Sequence, residues 1–235
     1  MFRDQLIINQ IKKLESSPKI VKIFSENEIK DIRKLYDVLP LRIFNLKQNI
    51  KKKVWIQGYN KILDELYIKK LTTYIGNFKM DNLKCDNGLD LYGIYHESFS
   101  PLPLHVDSGF NPEDLIYKQV VTPFTSGETI IFKQRWYQRS TNFTINKEEL
   151  KFIPNKDQND RSDKHIGNKN FDVNIYEKYL THIDYDNLKG LEVAMIYNWK
   201  IGESLIMDRS HIHCSSSNII NGNKLGLTTF TTTAN

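Results

Sequence analysis

Cysteine is scarce in this 235-residue chain, and the two present, Cys85 and Cys214, are too few for a disulfide framework and lack metal-finger spacing. Any redox chemistry must therefore come from a bound cofactor. Also missing is an apolar run near the roughly 18 residues that span a bilayer. The start Met1-Phe2-Arg3-Asp4-Gln5 has no apolar signal region. The expectation is a cytoplasmic protein with no membrane partner. No internal repeat is detectable. The net charge of +5 gathers in the first third, at Lys12-Lys13 and Lys51-Lys52-Lys53, without the stacking aromatics or recognisable module of a nucleic-acid binder. These lysines read as a solvated helix face, and nucleic acid is not an expected partner.

With 40% hydrophobic residues the chain can bury one substantial core, so residues 1–235 read as a single catalytic domain. Its first part, 1–85, reads as a helical support region. Ser25-Glu26-Asn27-Glu28 is a capping box, and Ile29, Ile32, Leu35 and Tyr36 follow at helical spacing up to Pro40. A second amphipathic stretch carries Ile62, Leu63, Leu66, Leu71 and Tyr74 and ends near Gly76. Between them Lys53–Gln57 reads as a short strand. Over 86–235 the pattern turns to short strands: Leu89–Tyr95, Gln119–Pro123, Thr129–Phe132, Leu191–Ile196, Ser204–Met207 and Leu225–Thr231. Turn chemistry at Asp86-Asn87-Gly88, Ser126-Gly127-Glu128, Ile201-Gly202-Glu203 and Asn221-Gly222-Asn223 separates them, which points to a sandwich or jelly roll. The polar stretch 139–174 reads as an insertion, with a substrate lid as one role for it. Arg161 and His165 within it read as solvated loop residues. Arg135, Trp136 and Tyr137 at a strand end read as rim packing.

The chemistry begins at His105-Val106-Asp107. Residues two apart on an extended segment point the same way, so His105 and Asp107 can face one ion. Two histidines and one carboxylate on one side of an iron leave the other side open for a cosubstrate and O₂. The second histidine has two candidates, His211 and His213, which would face the same side of one strand at the end of Ser204–Met207. Then comes Lys224, opening the strand Leu225-Gly226-Leu227-Thr228. A cation at the start of a buried strand is costly unless paired, and a dicarboxylate would supply the pairing.

His105, Asp107, a distal histidine and a basic residue about ten positions later, in this order and on strands, resemble the Fe(II)/2-oxoglutarate-dependent dioxygenases of the prolyl-hydroxylase-like branch. The resemblance covers about residues 89–135 and 191–232, and includes Tyr92-Gly93-Ile94-Tyr95 and Gly127-Glu128-Thr129-Ile130-Ile131-Phe132. It implies a mainly β fold with flanking helices: a double-stranded β-helix (jelly-roll, cupin-like) core supported by N-terminal α-helices. It implies Fe(II) held by His105, Asp107 and His213, the last preferred over His211 because it fits the family's spacing after Asp208. It further implies 2-oxoglutarate anchored by Lys224, where the family usually has arginine. Tyr95 would face the cosubstrate, with Tyr92 and Gln119 as weaker candidates of the same kind. Thr228, sharing strand parity with Lys224, would donate to the same carboxylate, with Gly226 leaving room between them.

The reaction so implied consumes O₂ and 2-oxoglutarate, releases succinate and CO₂, and hydroxylates an unactivated C–H bond. Hydroxylation is favoured over halogenation because family halogenases lack the carboxylate that Asp107 provides. The expected substrate is a small molecule or an amino-acid side chain. Nothing in the sequence sets the oligomeric state. The alternatives are a hydrolytic metal-binding cupin seeded by His211-Ile212-His213 and a non-catalytic jelly-roll module. The first needs a following Glu or an Asp-His pair, whereas the chain continues Cys214-Ser215-Ser216-Ser217-Asn218. Against the second stands the ordered set of positions an oxygenase needs.

Overall fold

The computed structural model describes residues 3–46, 49–81, 91–144, 167, 169–219 and 222–234. Three helices begin at side-chain caps, each satisfying an amide that has no partner inside the helix. Asp4 caps α1 (Gln5–Lys13), Ser25 caps α2 (Glu26–Val38) and Asn60 caps α3 (Lys61–Ile75). The capping box is reciprocal: the Ser25 amide donates to Glu28 Oε2 at 2.7 Å and the Glu28 amide donates to Ser25 Oγ at 3.4 Å.

The strands form two antiparallel sheets. The larger, eight-stranded sheet runs β1 (Lys19–Val21), β11 (Ser204–Asp208), β7 (Ile116–Pro123), β13 (Lys224–Thr233), β5 (Leu91–Ser98), β3 (Ile50–Ile56) and β2 (Leu41–Asn45). A short β4 (Phe78–Met80) pairs with the far end of β13. The smaller sheet runs β10 (Val193–Asn198), β8 (Glu128–Arg135), β12 (His211–Ser215), β6 (His105–Val106) and β9 (Thr141–Asn142). This is the jelly-roll core expected from the alternating turns and strands.

Three apolar clusters hold the layers together. On the outer face of the larger sheet, Ile29, Ile32 and Leu35 of α2 and Leu63, Tyr67 and Leu71 of α3 pack against Trp55, Tyr92, Tyr95 and Leu227. Asp64 fastens α3 to β3 by accepting from Trp55 Nε1 at 2.9 Å and from the Gly58 amide at 2.6 Å. Between the sheets lie Val121, Leu205 and Met207 with Ile131 and Tyr197. Outside the smaller sheet, Leu104, Ile130, Phe132 and Ile212 pack on Phe171, Leu180, Ile183 and Leu188 from short helical turns at Val173–Leu180 and Tyr185–Leu188.

The first 85 residues are not purely a helical support: they contribute β1 to β4, all of which join the larger sheet. The lysines at 51–53 lie on β3 rather than on a helix. Lys51 and Lys53 point to the helix-covered side, at Glu97 (3.6 Å) and over the Tyr36 ring (4.4 Å), and Lys52 points the other way. Of the polar stretch 139–174, residues 145–166 and 168, with Arg161 and His165, lie outside the described residues. Arg135 pairs with Asp208 at 2.7 Å, Trp136 packs edge-on against Phe143, and Tyr137 donates to Glu15 at 2.7 Å, so all three are packed. No helix among the described residues is long and apolar enough to cross a membrane.

Candidate active site

Strand β6 is only two residues long, and its pairing sets the site. In register, His105 stands opposite His213 of β12, with their ring centroids 4.2 Å apart. Asp107, just past the strand end, brings Oδ2 to 3.8 Å from His105 Nε2 and 3.4 Å from His213 Nε2. Ligand atoms of all three lie within 4.8 Å of one another.

Each imidazole is oriented from behind. His105 Nδ1 lies 2.7 Å from the Pro103 carbonyl and His213 Nδ1 lies 3.0 Å from the His211 carbonyl. A carbonyl only accepts, so each Nδ1 carries the hydrogen and each Nε2 presents a bare lone pair to the common centre. Burial, helped by the neighbouring His213 and opposed by Asp107, lowers the His105 pKa to about 4, which keeps the ring neutral. Burial alone would raise the Asp107 carboxyl, but the polar rings of His213 and His105 beside it outweigh burial and hold it well below the usual carboxylate range. Two imidazoles and an anionic carboxylate converging on one point of a pocket are the donor set of a divalent transition-metal site. The residues therefore fit an iron.

Further residues steady the carboxylate. Gln119 on β7 donates from Nε2 to Asp107 Oδ2 at 3.0 Å, so the side chain expected at the cosubstrate touches a candidate ligand instead. Arg209, fully buried, donates from Nε to the main-chain carbonyl of Asp107 at 2.9 Å. Sequence reasoning missed Arg209, for which no local motif gives a signal.

His211 and His213 do not share a facing. The pairing of β12 with β8 shifts register between them, so the alternation expected for one strand is broken. His211 turns its Nδ1 to the Phe132 carbonyl at 2.8 Å and lies outside the three-residue cluster.

The cluster lines a cavity of about 300 Å³, at the small end of ligand pockets. Lys224 and Thr228 of β13 also line it, with Gln119, Thr129, Trp199 and Cys214. Lys224 is buried without an ion pair among the described residues. Its Nζ donates to the Glu128 carbonyl at 2.6 Å and lies 4.1 Å from the centre of the Trp199 ring. Burial lowers its pKa to about 7. Gly226 lines the cavity, and a Cβ there would come within 2.8 Å of Trp199, so the glycine also admits the indole that covers Lys224. The Cys214 thiol is pushed up by burial and stays protonated.

Tyr95 and Tyr92 are not in the cavity. Tyr95 faces the helices and donates to the Ile32 carbonyl at 2.7 Å, while Tyr92 packs 5.5 Å from Trp55 in the same outer core. Strand parity decides this for Tyr95, since its neighbour His96 occupies the cavity face. His96 and Lys52, neither singled out by sequence reasoning, line the cavity, as do Ser140, Thr141 and Asn142 from the start of the polar stretch.

No protein-family model matches the chain, and no curated protein matches its sequence. Solved structures match along almost all of it. HygX from Streptomyces hygroscopicus, with nickel and 2-oxoglutarate bound, aligns with a TM-score of 0.53 at 9% identity over 98% of this chain and 87% of that one. An oxidoreductase of the 2OG-Fe(II) oxygenase family from Burkholderia pseudomallei gives a TM-score of 0.51 at 11% identity, over 96% and 89% of the two chains. The epimerase SnoN in complex with Fe³⁺, alpha ketoglutarate and nogalamycin RO gives 0.52 at 10% identity, over 97% and 85%. At such identities the likeness is one of fold. The chain has the double-stranded β-helix architecture of 2-oxoglutarate–Fe(II) oxygenase structures, in agreement with the resemblance drawn from the H-X-D step.

Proposed function

We propose that the protein is an Fe(II)- and 2-oxoglutarate-dependent oxygenase that hydroxylates an unactivated C–H bond of a small molecule or an amino-acid side chain. The observation that carries this reading is the pair of Nε2 lone pairs, pinned from behind by backbone carbonyls and aimed with Asp107 at one point. His105, Asp107 and His213 would hold the iron, and Lys224 with Thr228 would hold the far carboxylate of 2-oxoglutarate. When bound, this pair supplies the oxidising chemistry, taking up O₂ and releasing succinate and CO₂.

The chain's own residues bind, orient and shield. Gln119 holds the Asp107 carboxylate and Arg209 its main-chain carbonyl, so ligand geometry is set before any metal arrives. Lys224 waits as a buried cation with no carboxylate, which favours a ligand that brings one. Val121, Leu102, Met207 and Trp199 wall the cavity with apolar surface and keep water from the reacting centre. A small cavity agrees with a small substrate.

The test is incubation with Fe(II), ascorbate and labelled 2-oxoglutarate. Labelled CO₂ and succinate are the expected products. Failure of the protein to bind either iron or 2-oxoglutarate under anaerobic conditions would sink the reading.

A further inference from the structure

Three consecutive lysines on β3 have unlike surroundings. Lys51 has Glu97, and Lys53 donates to the Tyr36 carbonyl at 2.7 Å. Lys52, between them, enters the cavity and has no hydrogen bond or ion pair among the described residues. Its partner across the ladder is His96 of β5, and His96 in turn stands beside Gly226 of β13. His96 Nε2 is buried and likewise without a partner, and His96 lies outside the cluster formed by His105, Asp107 and His213. Two polar side chains from adjacent strands thus line one space, where the half-buried Lys52 ammonium has the charge of Asp107 in reach but no hydrogen-bond acceptor among the described residues. An ammonium so placed over a cavity is open to an anionic ligand.

The charge balance says what the ligand brings. Among the described cavity-lining side chains, Lys52 and Asp107 carry charge, and Lys224 does once a carboxylate lies beside it, while burial keeps His96 neutral. The two charges of Fe(II) and that of Lys224 are offset by Asp107 and the two carboxylates of 2-oxoglutarate. Lys52 is left over.

We propose that Lys52 and His96 form an anion subsite for the substrate, which is a small organic acid bearing a carboxylate or a phosphate. The proposal rests on the oxygenase reading above. Lys52 supplies the charge and the neutral His96 ring a hydrogen bond. The sheet order separates this subsite from the cosubstrate anchor, since β5 lies between β3, which carries Lys52, and β13, which carries Lys224. Ile50, next on the cavity face of β3, adjoins the subsite, so the rest of the acid is apolar where it leaves Lys52. Among the described lining residues a free ammonium on the substrate would find no unengaged carboxylate, which disfavours unmodified amino acids.

The test uses protein loaded with Zn(II) and 2-oxoglutarate, so that nothing turns over, and hexanoate, hexyl phosphate and hexanamide as probes in ligand-observed NMR. Hexanoate or hexyl phosphate should bind in the presence of 2-oxoglutarate, with the tighter of the two naming the anion, and hexanamide should not. Lys52→Met should weaken the anion at least tenfold and Lys52→Arg should restore it. Zn(II) and 2-oxoglutarate should bind to Lys52→Met as to the wild type, with its Tm little changed because Lys52 makes no hydrogen bond or ion pair among the described residues. Equal binding of hexanoate and hexanamide, an unaffected Lys52→Met, or anion binding only when 2-oxoglutarate is left out would each overturn the proposal. Loss of 2-oxoglutarate itself in Lys52→Met would overturn it too, by making Lys52 the cosubstrate anchor. If the wild type binds no 2-oxoglutarate, the oxygenase reading fails on its own. Lys52-dependent hexanoate binding to the zinc-loaded protein would still support the anion subsite.

Discussion

The main-chain carbonyl of Asp107 is held by the guanidinium of Arg209, whose Nε donates to it at 2.9 Å and whose Nη1 lies 2.6 Å from Asp81 Oδ2. The residue that completes the H-X-D step is therefore tied through its backbone to a buried ion pair that begins just past the end of β4.

Replacing Arg209 by Met should loosen that tie. Metal affinity is expected to fall roughly 10- to 100-fold, as for other groups that orient a ligand from behind. Stability should fall by about 3 kcal/mol because the buried Arg209–Asp81 ion pair is broken. Adding Asp81→Asn should recover much of the stability and none of the metal affinity. Metal titration and thermal melting of the single and double variants check both halves.

The two histidines of β12 should respond differently. His213→Ala should abolish iron binding. His211→Ala should retain it while costing about 1–3 kcal/mol, since the Phe132 carbonyl loses its buried donor. Iron content after desalting, with a melting curve for each variant, separates the roles; iron lost only from His211→Ala would reverse the assignment.

Cosubstrate affinity should depend on pH through Lys224. In the free protein burial lowers its pKa to about 7, with Cys214 and Glu128 pulling weakly the other way. A bound carboxylate favours the charged form, so binding takes up a proton once the pH exceeds about 7. The dissociation constant for 2-oxoglutarate should then rise with pH, approaching tenfold per unit. Lys224→Met should bind weakly at every pH and lose the slope. Calorimetry in buffers of different ionisation heat reads the proton uptake directly.

Gly226→Ala tests the cover on that lysine. Its Cβ would meet Trp199 at 2.8 Å and displace the indole from Lys224. Weaker 2-oxoglutarate binding with unchanged metal affinity is expected, read by titrating each ligand separately.

Much of this was legible in the sequence because it is written locally. The capping box at Ser25 and Glu28, the turn-bounded strands, the H-X-D step and an isolated lysine opening a buried strand all follow from short-range rules. What was hidden depends on partners far along the chain. Strands β1 and β4 are three residues each and exist only by pairing with β11 and β13. Alternation along β5 says that Tyr95 and His96 face opposite ways but not which way the cavity lies. Three adjacent lysines conceal their own alternation, since a long stem can serve either face. The register shift between His211 and His213 has no sequence signature of its own.

Strand β6 has another consequence. Its two residues are bonded to β12 on one side and to β9 on the other, with His105 opposite Asn142 and Val106 opposite Thr141. Residues 141 and 142 thus touch His105, the proposed iron ligand, through one rung of backbone while their neighbour Ser140 borders the same cavity. A tug on that stretch from a molecule settling beside it is delivered to the imidazole of His105 without crossing any hinge, so the metal's coordination and the occupancy of the cavity share one mechanical part.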